Sequence, residues 1–279
     1  MQNHSSTKVD RPANGALDSY FRIDAKIAVV TDSGACSSVD VAPVLARAGA
    51  RVVIADRDPA AAVALARSID PSGEQVTAIP TDIESEASVV SLFETLRARF
   101  GRLDILVNCA GLTANQPLLE TTLAQYDAMQ SVNLRSTFML MREGVRVMMA
   151  AGHGGRIVNV TTIGAVHPVL NGNAAYGASR AGVTAMTRSV ALDHARDGIL
   201  ANLVLPGAVR GKTRFHDTTI SRLEAGATLT GPAIDAERRL PLGMGNGRDI
   251  AAAVLYLVGP SASYITGQML TLDGGFLLT

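Results

Sequence analysis

Tryptophan is absent, cysteine occurs only twice, aromatic residues make up 4% of the 279-residue chain, and the formal net charge is zero. Each shortage excludes something. Cys36 and Cys109 fall in distant segments, and His153, His167 and His194 have no ligand spacing, so neither a disulfide framework nor a metal site is indicated. A neutral balance argues against nucleic acid or an anionic membrane as partner, because both select a basic face. No apolar run approaches the ~20 residues needed to span a bilayer. The stretch Met1 to Leu17 carries only Lys8 and Arg11 as cations and no continuous apolar core, which does not read as a secretory signal. Residues 1–20 therefore read as a flexible leader, and the expected location is the cytoplasm.

What is present suits a buried parallel sheet: 47% hydrophobic residues, 26 glycines and 18% charged residues. From Lys26 onward, apolar strand-like runs alternate with amphipathic helical stretches, the pattern of a doubly wound α/β fold with a mostly parallel sheet. Strands are expected at Lys26–Thr31, Arg51–Ala55, Gln75–Pro80, Leu103–Val107, Arg156–Val160, Ala201–Leu205 and Gln268–Leu272. Helices are expected at Val39–Ala48, from Asp58-Pro59 to Ser68, at Ser85–Phe100, Leu123–Ala151, Ala175–Asp197 and Asp249–Val258. Asp58 is a good N-cap with proline at the first helical position. Residues 210–240 lack clean periodicity, and such a segment inside a compact domain reads as a substrate lid. One domain, residues 21–279, accounts for the rest.

The ends of these strands carry the chemistry. Thr31-Asp32-Ser33-Gly34-Ala35-Cys36-Ser37-Ser38 links the first strand to its helix, where a dinucleotide fold places a glycine-rich phosphate loop. Asp56 closes the second strand, 24 residues after Asp32. An acidic side chain there can accept from ribose hydroxyls and repel a 2′-phosphate, while Arg57 could instead meet one. Asp82-Ile83 follows the third strand and Asn108-Cys109-Ala110-Gly111 the fourth. Thr161-Thr162 ends the fifth strand, Tyr176-Gly177-Ala178-Ser179-Arg180 opens the next helix, and Pro206-Gly207-Ala208-Val209 follows the sixth strand. The spacing of four puts Tyr176 and Arg180 on one helix face.

Together these motifs resemble the short-chain dehydrogenase/reductase family over about Phe21 to Phe276. The resemblance implies a Rossmann-type fold and a nicotinamide cofactor. It makes Tyr176 the acid/base, Arg180 the cation beside it, Thr162 the anchor of the substrate oxygen and Asn133 a supporting residue that orders a water. Thr161 is the fallback for Thr162. A free tyrosine holds its proton to about pH 10, so a fixed positive charge nearby favours the phenolate. The cofactor would meet Asp56, Arg57, Asp82, Ile83, Asn108, Ala110, Gly111, Pro206, Gly207 and Val209. Asp56 favours NAD over NADP. The closing stretch Tyr264–Gln268 through Asp273-Gly274-Gly275 fits as well, and the look within the family is that of polyol, sugar-alcohol or gluconate-type enzymes.

Five positions depart from the family pattern. Asp32, Cys36 and Ser38 replace the three loop glycines, Thr162 a serine, and Arg180 a lysine. Asp32 puts a carboxylate near the expected phosphates, leaving Gly34, Ser37, Ser38 and the backbone amides of the helix start to meet them. Three readings follow: an NAD-linked oxidoreductase of a secondary alcohol (polyol, sugar-alcohol or hydroxy-acid type) and its ketone, a catalytically silent subunit supporting an active homologous partner, or cofactor-independent chemistry in the retained pocket. The resemblance further implies a homodimer or homotetramer built on the helices Leu123–Ala151 and Ala175–Asp197.

Overall fold

The computed structural model describes residues 17–31, 36–211, 217–235 and 239–279. Asp32 and Gly34 lie outside the described residues, as do the side chains of Cys36, Ser37 and Ser38. Seven strands form one sheet: β1 (Ile27–Thr31), β2 (Arg51–Asp56), β3 (Val76–Pro80), β4 (Ile105–Asn108), β5 (Gly155–Val160), β6 (Ile199–Pro206) and β7 (Met269–Leu272). Their order is β3-β2-β1-β4-β5-β6-β7, and each neighbouring pair is parallel. The order reverses between β1 and β4. In open α/β sheets that switch point opens a crevice at the carboxyl ends of the strands, where ligands bind.

Eight helices cover the sheet among the described residues: α1 (Cys36–Arg47), α2 (Pro59–Ile69), α3 (Glu86–Phe100), α4 (Leu123–Met129), α5 (Ser136–Ala151), α6 (Ala174–His194), α7 (Asp217–Glu224) and α8 (Gly247–Val258). Strand side chains alternate between faces. Ala28 and Val30 of β1 pack with Val41 and Leu45 of α1 and Val254 of α8, whereas Val29 packs with Leu92 and Phe93 of α3 and Leu140 of α5. The chain is a single doubly wound Rossmann-type domain.

Local signals explain most boundaries. Asp58 caps α2 by accepting from Ala60 and Ala61 N–H, with Pro59 at the first helical position, and Ser85 caps α3 through Ser88 N–H. Gly49 turns α1 into β2 at φ +104°, where a Cβ would strike Asp24. Two expectations change. The helix expected over Leu123–Ala151 is interrupted by a π turn at Gln130–Arg135. The expected irregular segment 210–240 contains α7 and a 3₁₀ turn at Pro232–Asp235. Of the expected leader, Leu17–Tyr20 form a 3₁₀ turn.

Candidate active site

The carboxyl ends of β4 and β5 and the first turns of α6 meet at one buried centre. Tyr176 is 9% exposed and Arg180, one turn later, 5%. The guanidinium carbon of Arg180 lies 5.6 Å from the Tyr176 ring centroid. Arg180 Nη1 donates to the Ala110 carbonyl at 3.3 Å, and its Nε has no hydrogen-bond partner among the described residues. No carboxylate among the described residues forms an ion pair with Arg180. A Cβ at 111 would sit 1.5 Å from Arg180 Nη2, so the guanidinium keeps this place only with glycine there. Gly111 thus gives room to a planar group bulkier than an ammonium.

Asn133 sits in the π turn, fully buried. Its Nδ2 donates to the Leu112 carbonyl at 2.9 Å and Ser179 Oγ at 3.0 Å, and its Oδ1 accepts from Leu112 N–H at 2.8 Å. Ser179 Oγ in turn donates to the Tyr176 carbonyl at 2.7 Å. Asn133 therefore ties the loop after β4 to the first turns of α6, which carry Tyr176, through protein groups. Widened π turns often mark such sites because they re-aim a side chain within a helix. Thr162, two residues beyond β5, caps the 3₁₀ turn Ile163–Ala165 by accepting from Gly164 N–H at 3.1 Å through Oγ1, which leaves its hydroxyl proton to donate. Thr161 Oγ1 is buried without a described partner.

A second group lines a cleft at the ends of β2, β3 and β4: Asp56, Arg57, Asp82, Ile83 and Ala110, with Glu84 added. Asp56 Oδ1 accepts from Asp58 N–H at 2.7 Å, and Asp82 Oδ1 from Glu84 N–H at 3.0 Å. Arg57 pairs with Glu84 at 3.6 Å, a partner that sequence spacing did not suggest. Asn108 is buried below this cleft, donating to Asn159 Oδ1 at 2.7 Å, while Asn159 donates to Thr187 Oγ1 of α6 at 2.7 Å. An asparagine inside an otherwise apolar strand was the available signal for Asn159. Beyond β6, a Cβ on Gly207 would lie 2.8 Å from Asp273 Cα, so Pro206–Gly207 runs tight against the chain leaving β7. Val209 is bridged to Gly245.

Beside Tyr176 a small recess is walled by Ala114, Gln116, Thr121, Gln125, Met129, Gly172 and Ala175. Gln116 and Gln125 were not singled out from the sequence, because amides in loops and helix starts carry no periodic signal. His167, which lies between Thr162 and Tyr176 in sequence, is exposed and is not among these walls. A roomier cavity of about 250 Å³, lined by Arg22, Asp104 and Arg156 among others, lies at the opposite end of the strands and touches none of these motifs. No helix among the described residues is long and apolar enough to cross a membrane.

Known proteins agree with this architecture. Residues 38–277 match a family model described as enoyl-(acyl carrier protein) reductase. The chain is 33% identical to sorbitol dehydrogenase of Cereibacter sphaeroides over 262 residues, covering 91% of this chain and 98% of that protein. It is 31% identical to D-threitol dehydrogenase of Mycolicibacterium smegmatis, covering 94% and 97% of the two chains. Among solved structures, a gluconate 5-dehydrogenase from Burkholderia cenocepacia in complex with NADP and tartrate superposes with a TM-score of 0.82 at 29% identity, covering 95% of this chain and all of that one. With a family model matched over residues 38–277 and relatives above 30% identity covered almost end to end, this chain belongs to the short-chain dehydrogenase/reductase family.

Proposed function

We propose that this chain is an NAD-linked oxidoreductase that interconverts a neutral secondary alcohol of polyol or sugar-alcohol type and its ketone. The observation that carries the reading is Arg180, a buried guanidinium with no described acidic partner, held against Tyr176. Burying an unpaired charge costs several kcal/mol, and a fold keeps such a group where the charge has work to do.

The residues present fit a dinucleotide. The cleft bounded by Asp56 and Asp82–Ile83 opens at the switch point of the sheet and carries a carboxylate suited to ribose hydroxyls. When bound, the nicotinamide supplies or removes the hydride at the substrate carbon. Tyr176 Oη gives its proton to the ketone oxygen in reduction and takes the alcohol proton in oxidation. Positive charge from Arg180 meets the phenolate that remains, and the Thr162 hydroxyl donates to the substrate oxygen. Asn133 holds the catalytic turn in place through Ser179.

Substrate class follows from the recess. Its described walls carry amides and a hydroxyl but no charged side chain, which suits a hydroxyl-bearing neutral molecule better than a hydroxy acid. Asp56 supports NAD over NADP, and Glu84 supports the same choice by occupying Arg57. Exposed Phe138 and Met149 on α5 and Leu192 on α6 support a homo-oligomer built on these helices. A location in the cytoplasm is in keeping with that assignment.

The test is turnover with NAD across polyols, simple secondary alcohols and hydroxy acids, with Tyr176→Phe as control. Polyols should be the best substrates, and the variant should lose about 10²-fold to 10⁴-fold with its fold intact. Faster turnover of hydroxy acids would overturn the neutral-substrate assignment. Absence of turnover throughout, together with co-purification of an active homologue, would favour the silent-subunit reading instead.

A further inference from the structure

Asn115 is a buried junction between the lid and the catalytic helix. Its N–H donates to Thr219 Oγ1 at 2.8 Å, and its carbonyl accepts from Arg222 Nη1 at 2.6 Å. Both partners belong to α7. Its side-chain Nδ2 donates to the Asn171 carbonyl and, at 3.3 Å, to Asn173 Oδ1. Asn173 is the N-cap of α6, three residues before Tyr176, yet its side chain makes no capping bond. That side chain is directed at Asn115 instead.

The lid is laced to the same loop elsewhere. Asn171 N–H donates to the Thr230 carbonyl at 2.8 Å, Asn171 Nδ2 to Thr230 Oγ1 at 3.0 Å, and Ala233 N–H to the Val169 carbonyl at 2.8 Å. Thr219 is 1% exposed although it lies on a short helix at the surface of the domain. A helix start without a side-chain cap frays unless something else holds it. Here the Asn115 amide tethers the cap residue Asn173, one turn before the Tyr176 carbonyl that closes the Asn133–Ser179 link. Each peptide group flanking the Asn115 Cα shares one bond with α7, at N–H and at C=O. Gln116 N–H of the second also donates to the Gly172 carbonyl at 2.7 Å, so the orientation of the Asn115 side chain is set jointly by α7 and the loop before α6.

We propose that Asn115 is a positioning residue that couples the seating of α7 to the placement of Tyr176, so that the lid and the catalytic turn order together. This rests on the assignment of Tyr176 as the proton-transferring group, but its test does not. Hydrogen–deuterium exchange of the full chain reads the coupling directly. Thr219→Val with Arg222→Met removes both contacts from α7 to the Asn115 peptide groups. Exchange should rise about tenfold or more in residues 217–226 and also in residues 174–182, with β1, β4 and β5 unchanged. Asn115→Ala should produce the same rise in residues 174–182, and Thr219→Ser, which keeps the hydroxyl, should match wild type in both segments. A rise confined to α7, with the first turns of α6 unaffected, would overturn the proposal whether or not turnover is ever found. In an active preparation, the double variant should lower kcat while leaving NADH affinity unchanged. A fall in NADH affinity with kcat intact would also overturn it.

Discussion

The two ends of the proposed cofactor cleft are built on different principles. Around Tyr176 the side chains are buried and joined to one another: Asn133 to Leu112 and Ser179, Asn108 to Asn159, Asn159 to Thr187. Around Asp56 they are half-exposed and held by local backbone turns, as with Asp56 to Asp58 N–H and Asp82 to Glu84 N–H. Arg57 is 57% exposed in its side chain, against 5% exposure for Arg180. Two arginines in one cleft thus do opposite things. Arg180 is held in a fixed place at a cost in desolvation, which suits a group that must meet a charge formed during reaction. Arg57 is solvated and exchangeable, which suits a choice between ligands. Under the proposed function, the buried end would govern rate and the open end which dinucleotide enters.

The contrast can be broken most sharply at Arg180. Arg180→Met removes a buried charge that lacks a described acidic partner, so thermal stability should hold or rise. Turnover should nevertheless fall by about 10²-fold or more, the scale of a lost electrostatic contact to developing charge. Parallel thermal melts and steady-state rates decide this, and a large drop in Tm would show that the guanidinium serves the fold instead.

A smaller effect is expected from Gly111→Ala. The added Cβ would collide with Arg180 Nη2, and overpacking of this kind costs about 1–3 kcal/mol. Combining it with Arg180→Lys should recover much of that loss in urea unfolding, because the planar group is gone. Equal destabilisation in the two backgrounds would mean that Gly111 is needed for another reason.

The smallest effect belongs to the open end. Glu84→Gln releases Arg57 from its ion pair. Exposed pairs are worth about 0–1 kcal/mol, so NADPH affinity should rise by no more than about fivefold, with NADH nearly unchanged. Competitive titration of the two dinucleotides measures it. An unaltered ratio would leave Asp56 as the sole determinant on this edge.

Much of the architecture was legible beforehand, because strand alternation and helix caps are local signals. Asp58 caps the helix expected of it, the helix expected from Ser85 is found with Ser85 as its cap, and the motif residues 108–111, 162, 176 and 180 lie at the carboxyl edge of the sheet as a doubly wound fold requires. Other features were not legible, for stated physical reasons. A π turn preserves helical hydrophobic spacing on either side, so nothing in Leu123–Ala151 distinguished it from an uninterrupted helix. The pairing of Arg57 with Glu84 joins the ends of two different strands, and neither residue carries a periodic cue. Asn115 bonds with residues 104 and 107 positions away, a relation that single-chain spacing does not encode. The loop at residues 32–38 is the stretch that departs most from the family pattern, with Asp32, Cys36 and Ser38 in place of its glycines.

That loop makes dinucleotide binding the central claim to test. Calorimetric titration of the purified chain with NADH and with NADPH addresses it most directly. Saturable heat is expected with NADH and weaker binding with NADPH, because the Asp56 edge of the cleft keeps its carboxylate although the loop after β1 lacks the family's glycines. No saturable heat with either dinucleotide, or tighter binding of NADPH, would contradict it.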